Sequence, residues 1–100
     1  MNFIATKLQG CYCIEPKIFD DHRGYFMESF NEKTFYEKTG QQIHFVQDNQ
    51  SFSSKGVLRG LHYQVGEHAQ SKLIRVLSGE ILDVAVDIRP DSITYRHHVT

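Results

Sequence analysis

The chain has 100 residues, of which 40% are hydrophobic, 23% charged and 12% aromatic. This length allows one domain at most, with a modest core, and the ordinary charge content excludes a disordered charged tail. The formal net charge of −1 argues against bulk electrostatic binding to nucleic acid or to an anionic membrane.

Targeting and redox signals are weak. No apolar run is long enough for a transmembrane helix, and no signal peptide is visible. Cys11 and Cys13 lie one residue apart, a spacing that rarely forms a disulfide, and two thiols alone cannot complete a zinc site. They are interpreted as reduced thiols of a cytoplasmic protein.

A period of two in the apolar residues is the main structural signal. It predicts strands over 24–30, 43–49, 57–64, 72–77 and 81–88. Residues 51–56 have the composition of a turn, and Ser78-Gly79-Glu80 predicts a hairpin between the last two strands.

One short helix is predicted between the first two strands. Asn31 is a good N-cap, Glu32 suits the positive helix start, and Gly40 suits the left-handed position after the helix end. Phe35 and Tyr36 would anchor it, because a helix of about eight residues is not stable without packing on the sheet.

These elements predict a single, mainly β domain over residues 1–100, with one short helix. Five or six strands are fewer than the eight of a jelly roll, so the sheet would have unpaired edges. Either another chain covers those edges or further sequence follows Thr100.

The candidate chemistry begins with the spacing Gly56-x5-His62-x-Gln64, followed by Lys72-x6-Gly79. It places an imidazole and a cation on neighbouring predicted strands. A His base beside a Lys cation suits removal of a proton next to a carbonyl, with the ammonium stabilising the enolate oxygen. The alternative is that His62 is a packing residue and Lys72 a solvated strand end.

Two arginines and a pair of amides are candidate binding groups. Arg23 and Arg59 suit bidentate phosphate contacts, although either could instead form a surface ion pair. Because Arg59 and His62 have opposite strand parity, they can line one pocket only if Gly60 forms a bulge. Gln47 and Asn49 share a strand face and suit a pyrimidine edge or a sugar; the alternative is the polar end of a strand.

Five ordered segments of the chain resemble the dTDP-4-dehydrorhamnose 3,5-epimerase family. They are DHRGYFMESFN (21–31), FVQDNQS (45–51), VLRGLHYQ (57–64), KLIRVLSGEILDVAVDIR (72–89) and DSITY (91–95). The resemblance runs from about residue 14 to about residue 95, and five blocks with matching gaps are a highly specific signal.

The resemblance implies a cupin-type jelly roll, incomplete in this chain, whose N-terminal portion would occupy residues 1–100. It implies a homodimeric isomerase that epimerises a dTDP-linked 4-keto-6-deoxyhexose at C3 and C5, in dTDP-L-rhamnose biosynthesis. Two alternatives remain open: a non-catalytic or truncated sugar-nucleotide-binding module, and a related sugar-nucleotide ketoisomerase.

Site roles follow from the matching motif positions. His62 resembles the general base and Lys72 the cation at the C4 oxygen, while Arg23 and Arg59 resemble diphosphate ligands. The nucleotide contacts would be Glu28, Gln47, Asp48 and Asn49. Metal-binding cupins carry a second His and a Glu where this chain has Gln64 and Lys72, so the resemblance implies neither metal nor cofactor. Subunits of the family continue beyond this stretch, and their later part supplies the Tyr general acid, which Tyr95 does not match.

Overall fold

The computed structural model describes residues 1–100 as a mainly β structure with one α-helix. Six short strands form three separate two-stranded antiparallel sheets. The pairs are β1 (Asn2–Ala5) with β2 (Tyr12–Glu15), β3 (Ile18–Asp21) with β4 (Gly24–Met27), and β5 (Ala85–Val86) with β6 (His98–Val99). The helix α1 spans Glu32–Thr39, and a 3₁₀ helix spans Gly66–His68. The α-helix is too short and too polar to cross a membrane.

The loop between β1 and β2 closes on itself through backbone hydrogen bonds. The Thr6 amide donates to the Cys11 carbonyl at 3.0 Å, and the Cys11 amide donates to the Leu8 carbonyl at 3.1 Å. Leu8 is thereby held inward, with 5% of its surface exposed. Gly10 has φ 79°, a left-handed conformation that residues with a Cβ rarely adopt.

The β3–β4 hairpin turns over two residues, His22 and Arg23. The Asp21 carboxylate accepts a hydrogen bond from the Arg23 amide at 2.8 Å, which mimics a backbone turn. Phe19 and Phe26 face each other across the ladder, with ring centroids 6.5 Å apart. The strand predicted from residue 24 is confirmed, but it ends at Met27 rather than at residue 30.

The predicted helix is confirmed together with both of its caps. The Asn31 side-chain oxygen accepts a hydrogen bond from the Thr34 amide at 3.0 Å, which satisfies one of the free donors of the first turn. Gly40 has φ 69°, and its amide donates to the Tyr36 carbonyl at 2.8 Å.

Four phenylalanines form an aromatic cluster around Phe35, which with Leu8 is one of the two buried apolar residues. Phe35, from α1, is 8% exposed and lies at the centre of the cluster. Its ring centroid is 6.0 Å from Phe3, 6.0 Å from Phe30 and 5.9 Å from Phe45. These edge-to-face and tilted contacts are the favoured arrangements of aromatic pairs, and they join β1 and α1 to the segment that follows the helix.

Several predicted strands are wrong as hydrogen-bonded strands. Residues 43–49, 57–64 and 72–77 contain no strand, and the prediction over 81–88 is reduced to β5. A strand exists only where a neighbouring segment completes the ladder, and these stretches have no such neighbour within the 100 residues. The bend at 77–79 is present, but no ladder flanks it.

The alternating pattern itself survives in one of these stretches. Ile43 and Phe45 are half-buried, whereas the residue that follows each of them, His44 and Val46, is exposed. Conversely, β1, β2 and β3 were not predicted. Their four-residue lengths and mixed composition carry too little alternation to be distinguished from loop, and their pairing is set by the turns between them.

Candidate functional site

His62 and Lys72 both lie in exposed stretches without secondary structure. Neither side chain takes part in a hydrogen bond or an ion pair within the chain. The imidazole and the ammonium are therefore free to act on a bound molecule. Their convergence on a single ligand remains a prediction.

Arg59 is held in place by Phe52 and Ser53, which precede the turn at Lys55-Gly56. Its Nε donates to Ser53 Oγ at 3.0 Å, and its Nη2 donates to the Phe52 carbonyl at 3.0 Å, which leaves Nη1 without a protein partner. Gly60 has φ 126°, so the backbone leaves the regular strand conformation between Arg59 and His62. Because this segment is unpaired, it contains no bulge in the strict sense of an interrupted ladder.

The polar residues after Phe45 include one direct amide pair. Gln47 Nε2 donates to Asn49 Oδ1 at 3.3 Å, so these two side chains point the same way, as the i, i+2 spacing predicts. Asp48 lies between them, exposed and without a hydrogen bond. The two amides are the only predicted site residues that form a side-chain hydrogen bond with each other.

Arg23 forms the surface ion pair that was the alternative to phosphate binding. Its Nη2 lies 2.6 Å from Asp21 Oδ2, and the guanidinium lowers the pKa of Asp21 while the carboxylate raises the pKa of Arg23. Both side chains are solvent-exposed, so the pair adds little stability. Glu28 is also exposed, and its Oε2 accepts a weak hydrogen bond from Asn31 Nδ2 at 3.4 Å.

The sequence interpretation missed a polar network around Asp87. This carboxylate is buried and accepts hydrogen bonds from Arg89 Nε at 2.9 Å, Ser92 Oγ at 2.6 Å and Thr94 Oγ1 at 2.6 Å. These donors hold the pKa of Asp87 far below its usual range, because they stabilise the charged form. Its residues all lie within 87–94, but spacing alone does not show that the turn brings these side chains together.

Two clefts lie away from the predicted site residues. One, of about 450 Å³, is lined mainly by polar side chains, including Gln9, Gln41 and Arg89. The other, of about 410 Å³, lies beside α1, where His44 Nδ1 is 2.7 Å from Glu32 Oε1. Neither cleft is lined by His62 or Lys72.

Comparison with known proteins gives consistent matches. A family model described as dTDP-4-dehydrorhamnose 3,5-epimerase matches residues 5–100. The dTDP-4-dehydrorhamnose 3,5-epimerase of Shigella flexneri is 57% identical over 95 residues, which are 95% of this chain and 52% of that relative. The enzyme of the same name from Methanothermobacter thermautotrophicus is 58% identical over 93% of this chain and 49% of its own length.

A solved structure extends the comparison to the backbone. The crystal structure of dTDP-4-dehydrorhamnose 3,5-epimerase from Elizabethkingia anophelis NUHP1 superposes with a TM-score of 0.95 at 56% identity. The match covers 99% of this chain and 54% of that one. The chain thus spans about half the length of the relatives it matches.

Proposed function

The chain belongs to the dTDP-4-dehydrorhamnose 3,5-epimerase family, and on that premise we propose that it acts in the epimerisation of a dTDP-4-keto-6-deoxyhexose at C3 and C5. The reaction would supply the precursor of dTDP-L-rhamnose. The observation that carries this proposal is the family match over residues 5–100, which includes every candidate site residue from Arg23 to Lys72.

His62 and Lys72 are proposed as the reacting groups. The neutral imidazole of His62 takes the proton from the carbon next to the ketone, and the Lys72 ammonium hydrogen-bonds the C4 oxygen as it gains negative charge. Both side chains are exposed and form no hydrogen bond or ion pair within the chain. The imidazole is therefore open to a substrate proton, and no carboxylate neutralises the Lys72 ammonium. Return of a proton to the opposite face of the carbon completes the inversion, and it requires an acid other than these two groups.

The dTDP portion of the substrate is proposed to bind the remaining candidates. Arg59, oriented by its hydrogen bonds to residues 52 and 53, offers its free Nη1 to the diphosphate. Arg23 would add a second guanidinium once part of its pairing with Asp21 is exchanged for phosphate. The nucleotide contacts are assigned to Glu28, Gln47, Asp48 and Asn49.

We also propose the finer structural assignments that accompany this function. Residues 1–100 are proposed as the N-terminal portion of a single cupin-type jelly roll, a proposal supported by their three antiparallel strand pairs. A homodimer is supported by the exposed apolar side chains on the β3–β4 hairpin, such as Phe19 and Phe26. The two free thiols, Cys11 and Cys13, favour a cytoplasmic location.

The decisive experiment is proton exchange at C3 of dTDP-4-keto-6-deoxyglucose in D₂O, followed by proton NMR. His62→Ala should slow the exchange by about 10²–10⁴-fold, because it removes the base, and Lys72→Gln by about 10²–10³-fold. His68→Ala is the matched control, since His68 is also an exposed imidazole but lies in the 3₁₀ helix. Wild-type exchange no faster than that of His62→Ala would end the catalytic assignment.

A second candidate function is nucleotide binding without chemistry. It is favoured by the oriented guanidinium of Arg59 and the hydrogen-bonded amides of Gln47 and Asn49, which are binding groups that need no catalytic base. Calorimetry with dTDP separates the two functions. A binding module predicts affinity that is lost in Arg59→Ala, unchanged in His62→Ala, and accompanied by no proton exchange.

A further inference from the structure

The polar cleft of about 450 Å³ is built by three segments that lie far apart in the sequence. Residues 9, 10 and 12 come from the β1–β2 loop and the start of β2, Gln41 follows α1, and residues 89, 91 and 92 follow β5. None of these residues has a role in the proposed reaction, so the proposed function does not account for the cleft. Its size lies in the usual range for small-molecule sites.

Two walls of the cleft are joined by hydrogen bonds. Arg89 Nη2 donates to the Gln9 carbonyl at 2.6 Å, and the Gln9 amide donates to Thr94 Oγ1 at 3.2 Å. The buried Asp87 carboxylate fixes the Arg89 side chain, because it accepts from Nε at 2.9 Å and from Nη2 at 2.8 Å. These walls are therefore in place before a ligand arrives, which lowers the entropy cost of binding.

Gly10 keeps the space between the walls open. A Cβ at this position would lie 3.2 Å from Gln41 Nε2 and 3.7 Å from Arg89 Nη1. Both nitrogens therefore border the space that a side chain of residue 10 would enter. The left-handed φ of 79° also favours glycine here, so the backbone conformation and the opening of the cleft depend on the same residue.

Five polar side chains of the cleft keep groups without a partner in the chain. They are the amides of Gln9 and Gln41, the Tyr12 hydroxyl, the Asp91 carboxylate and Arg89 Nη1. The guanidinium only donates, the carboxylate only accepts, and the amides and the phenol do both. A ligand hydroxyl also donates and accepts, so a ring that carries several adjacent hydroxyls can pair with all of these groups.

The charges of the cleft disfavour an ionic ligand. The Arg89 guanidinium is paired with Asp87 at 2.8 Å, whereas the Asp91 carboxylate has no cationic partner. An anion such as phosphate therefore meets no net positive charge. A divalent cation requires several oxygen ligands, and the chain contains no group of three acidic, His or Cys side chains placed to hold one. A neutral ligand fits this charge pattern best.

Tyr12 is the aromatic residue of the cleft, and it is half-buried at the start of β2. A pyranose ring has a face of C–H groups and an edge of hydroxyls. The C–H face can pack on the phenol ring while the hydroxyls reach the polar groups around it. A flat aromatic ligand would instead leave most of those polar groups unpaired, which costs binding free energy.

We propose that this cleft is a binding site for a hexopyranose, separate from the candidate site of His62 and Lys72. The sugar hydroxyls pair with Gln41, Asp91 and Arg89 Nη1, and the C–H face of the ring packs against Tyr12. A free glycoside and a nucleotide-linked sugar both present this chemistry. The inference uses no step of the proposed epimerisation, so the two can fail separately.

The test is titration of ¹⁵N-labelled protein with methyl α-D-glucopyranoside and methyl α-L-rhamnopyranoside, followed through the amide chemical shifts. Neither glycoside carries a ketone or a phosphate, so neither can undergo the proposed reaction. We expect at least one of them to bind with a Kd of about 1–10 mM and to shift the amides of residues 9–12, 41 and 89–92. Absence of saturable shifts with both glycosides would overturn the proposal, and so would shifts centred on residues 57–72.

Two further ligands define the chemistry that the cleft recognises. Inorganic phosphate should not shift the amides of residues 9–12 and 89–92, and saturable binding of phosphate there would overturn the assignment of a neutral ligand. Titration of Arg59→Ala with dTDP-glucose distinguishes the two sources of the sugar. Shifts at the cleft amides would assign it to a nucleotide-linked sugar as well, and their absence would assign it to free glycosides only.

A pair of matched variants tests whether the cleft is the site. Gln41→Ala removes one of the amides that face the ligand and should raise the Kd about 3–10-fold. Gln42→Ala makes the same change at the next residue, which is exposed and does not line this cleft, and should leave the Kd unchanged. Helix ellipticity confirms that both variants are folded. An equal rise, or no rise, in the two variants would place the binding elsewhere and overturn the proposal.

Discussion

Replacement of Phe35 by Leu isolates the contribution of the aromatic core. The change keeps an apolar side chain of similar reach on α1 but removes ring contacts with Phe3, Phe30 and Phe45 at 5.9–6.0 Å. Each such pair contributes about 0.5–1.5 kcal/mol beyond its buried area. Because the rings share one cluster, their contributions are not fully additive, so we expect a loss of about 2–3 kcal/mol in the free energy of unfolding.

Urea denaturation followed by helix ellipticity measures this loss. With the slope usual for a small protein, Phe35→Leu should lower the urea midpoint by about 1–2 M. Tyr36→Leu is the matched control, because Tyr36 is the next residue of the same helix but is 52% exposed, and it should change stability by less than about 0.5 kcal/mol. If both variants shifted the midpoint equally, the aromatic cluster would not be the source of the stability, and the reasoning would be refuted.

Two further predictions concern the helix caps and the buried carboxylate. Asn31→Ala removes the acceptor for the Thr34 amide and should lower the free energy of unfolding by about 1 kcal/mol. Gly40→Ala should lower it by a similar amount, because it places a Cβ on a residue with φ 69°. Urea denaturation midpoints measure both changes. The pKa of Asp87 is lowered in the folded chain, so its stabilising contribution is complete above the ordinary carboxyl pKa of about 4 and is lost as the pH falls below it. Asp87→Asn should therefore lower Tm at neutral pH and flatten the acid dependence of Tm, whereas the same change at exposed Asp91 should do neither; an unchanged acid dependence in Asp87→Asn would contradict the assignment.

The helix could be predicted from the sequence because its determinants are local. Asn31, Glu32 and Gly40 act within one turn of the helix ends, and the structure shows both caps. The mainly β class could be predicted for a similar reason, since alternation reflects which face a side chain takes. Ile43 and Phe45 keep that alternation even though no strand pairs with them.

The pairing of the strands could not be predicted, because a β-strand is defined by backbone hydrogen bonds to a second segment. The alternating pattern over 57–64 and 72–77 says which side chains share a face, but the partner that would complete a ladder is absent from these 100 residues. The Asp87 network was missed for a related reason. Its donors come from a turn whose geometry depends on backbone hydrogen bonds between β5 and the residues before β6, and spacing alone does not reveal it.

The Asp87 network also ties the two ends of the chain together. Arg89 Nη2 donates to the Gln9 carbonyl at 2.6 Å, and the Gln9 amide donates to Thr94 Oγ1 at 3.2 Å, across 80 and 85 positions of sequence. Closing a loop of that length costs about 4 kcal/mol of chain entropy. During synthesis at about 5–20 residues per second, the amino-terminal hairpin waits roughly 4–16 s for residues 89–94 to be made. The hairpin of β1 and β2 can thus be anchored only after residues 89–94 have been made.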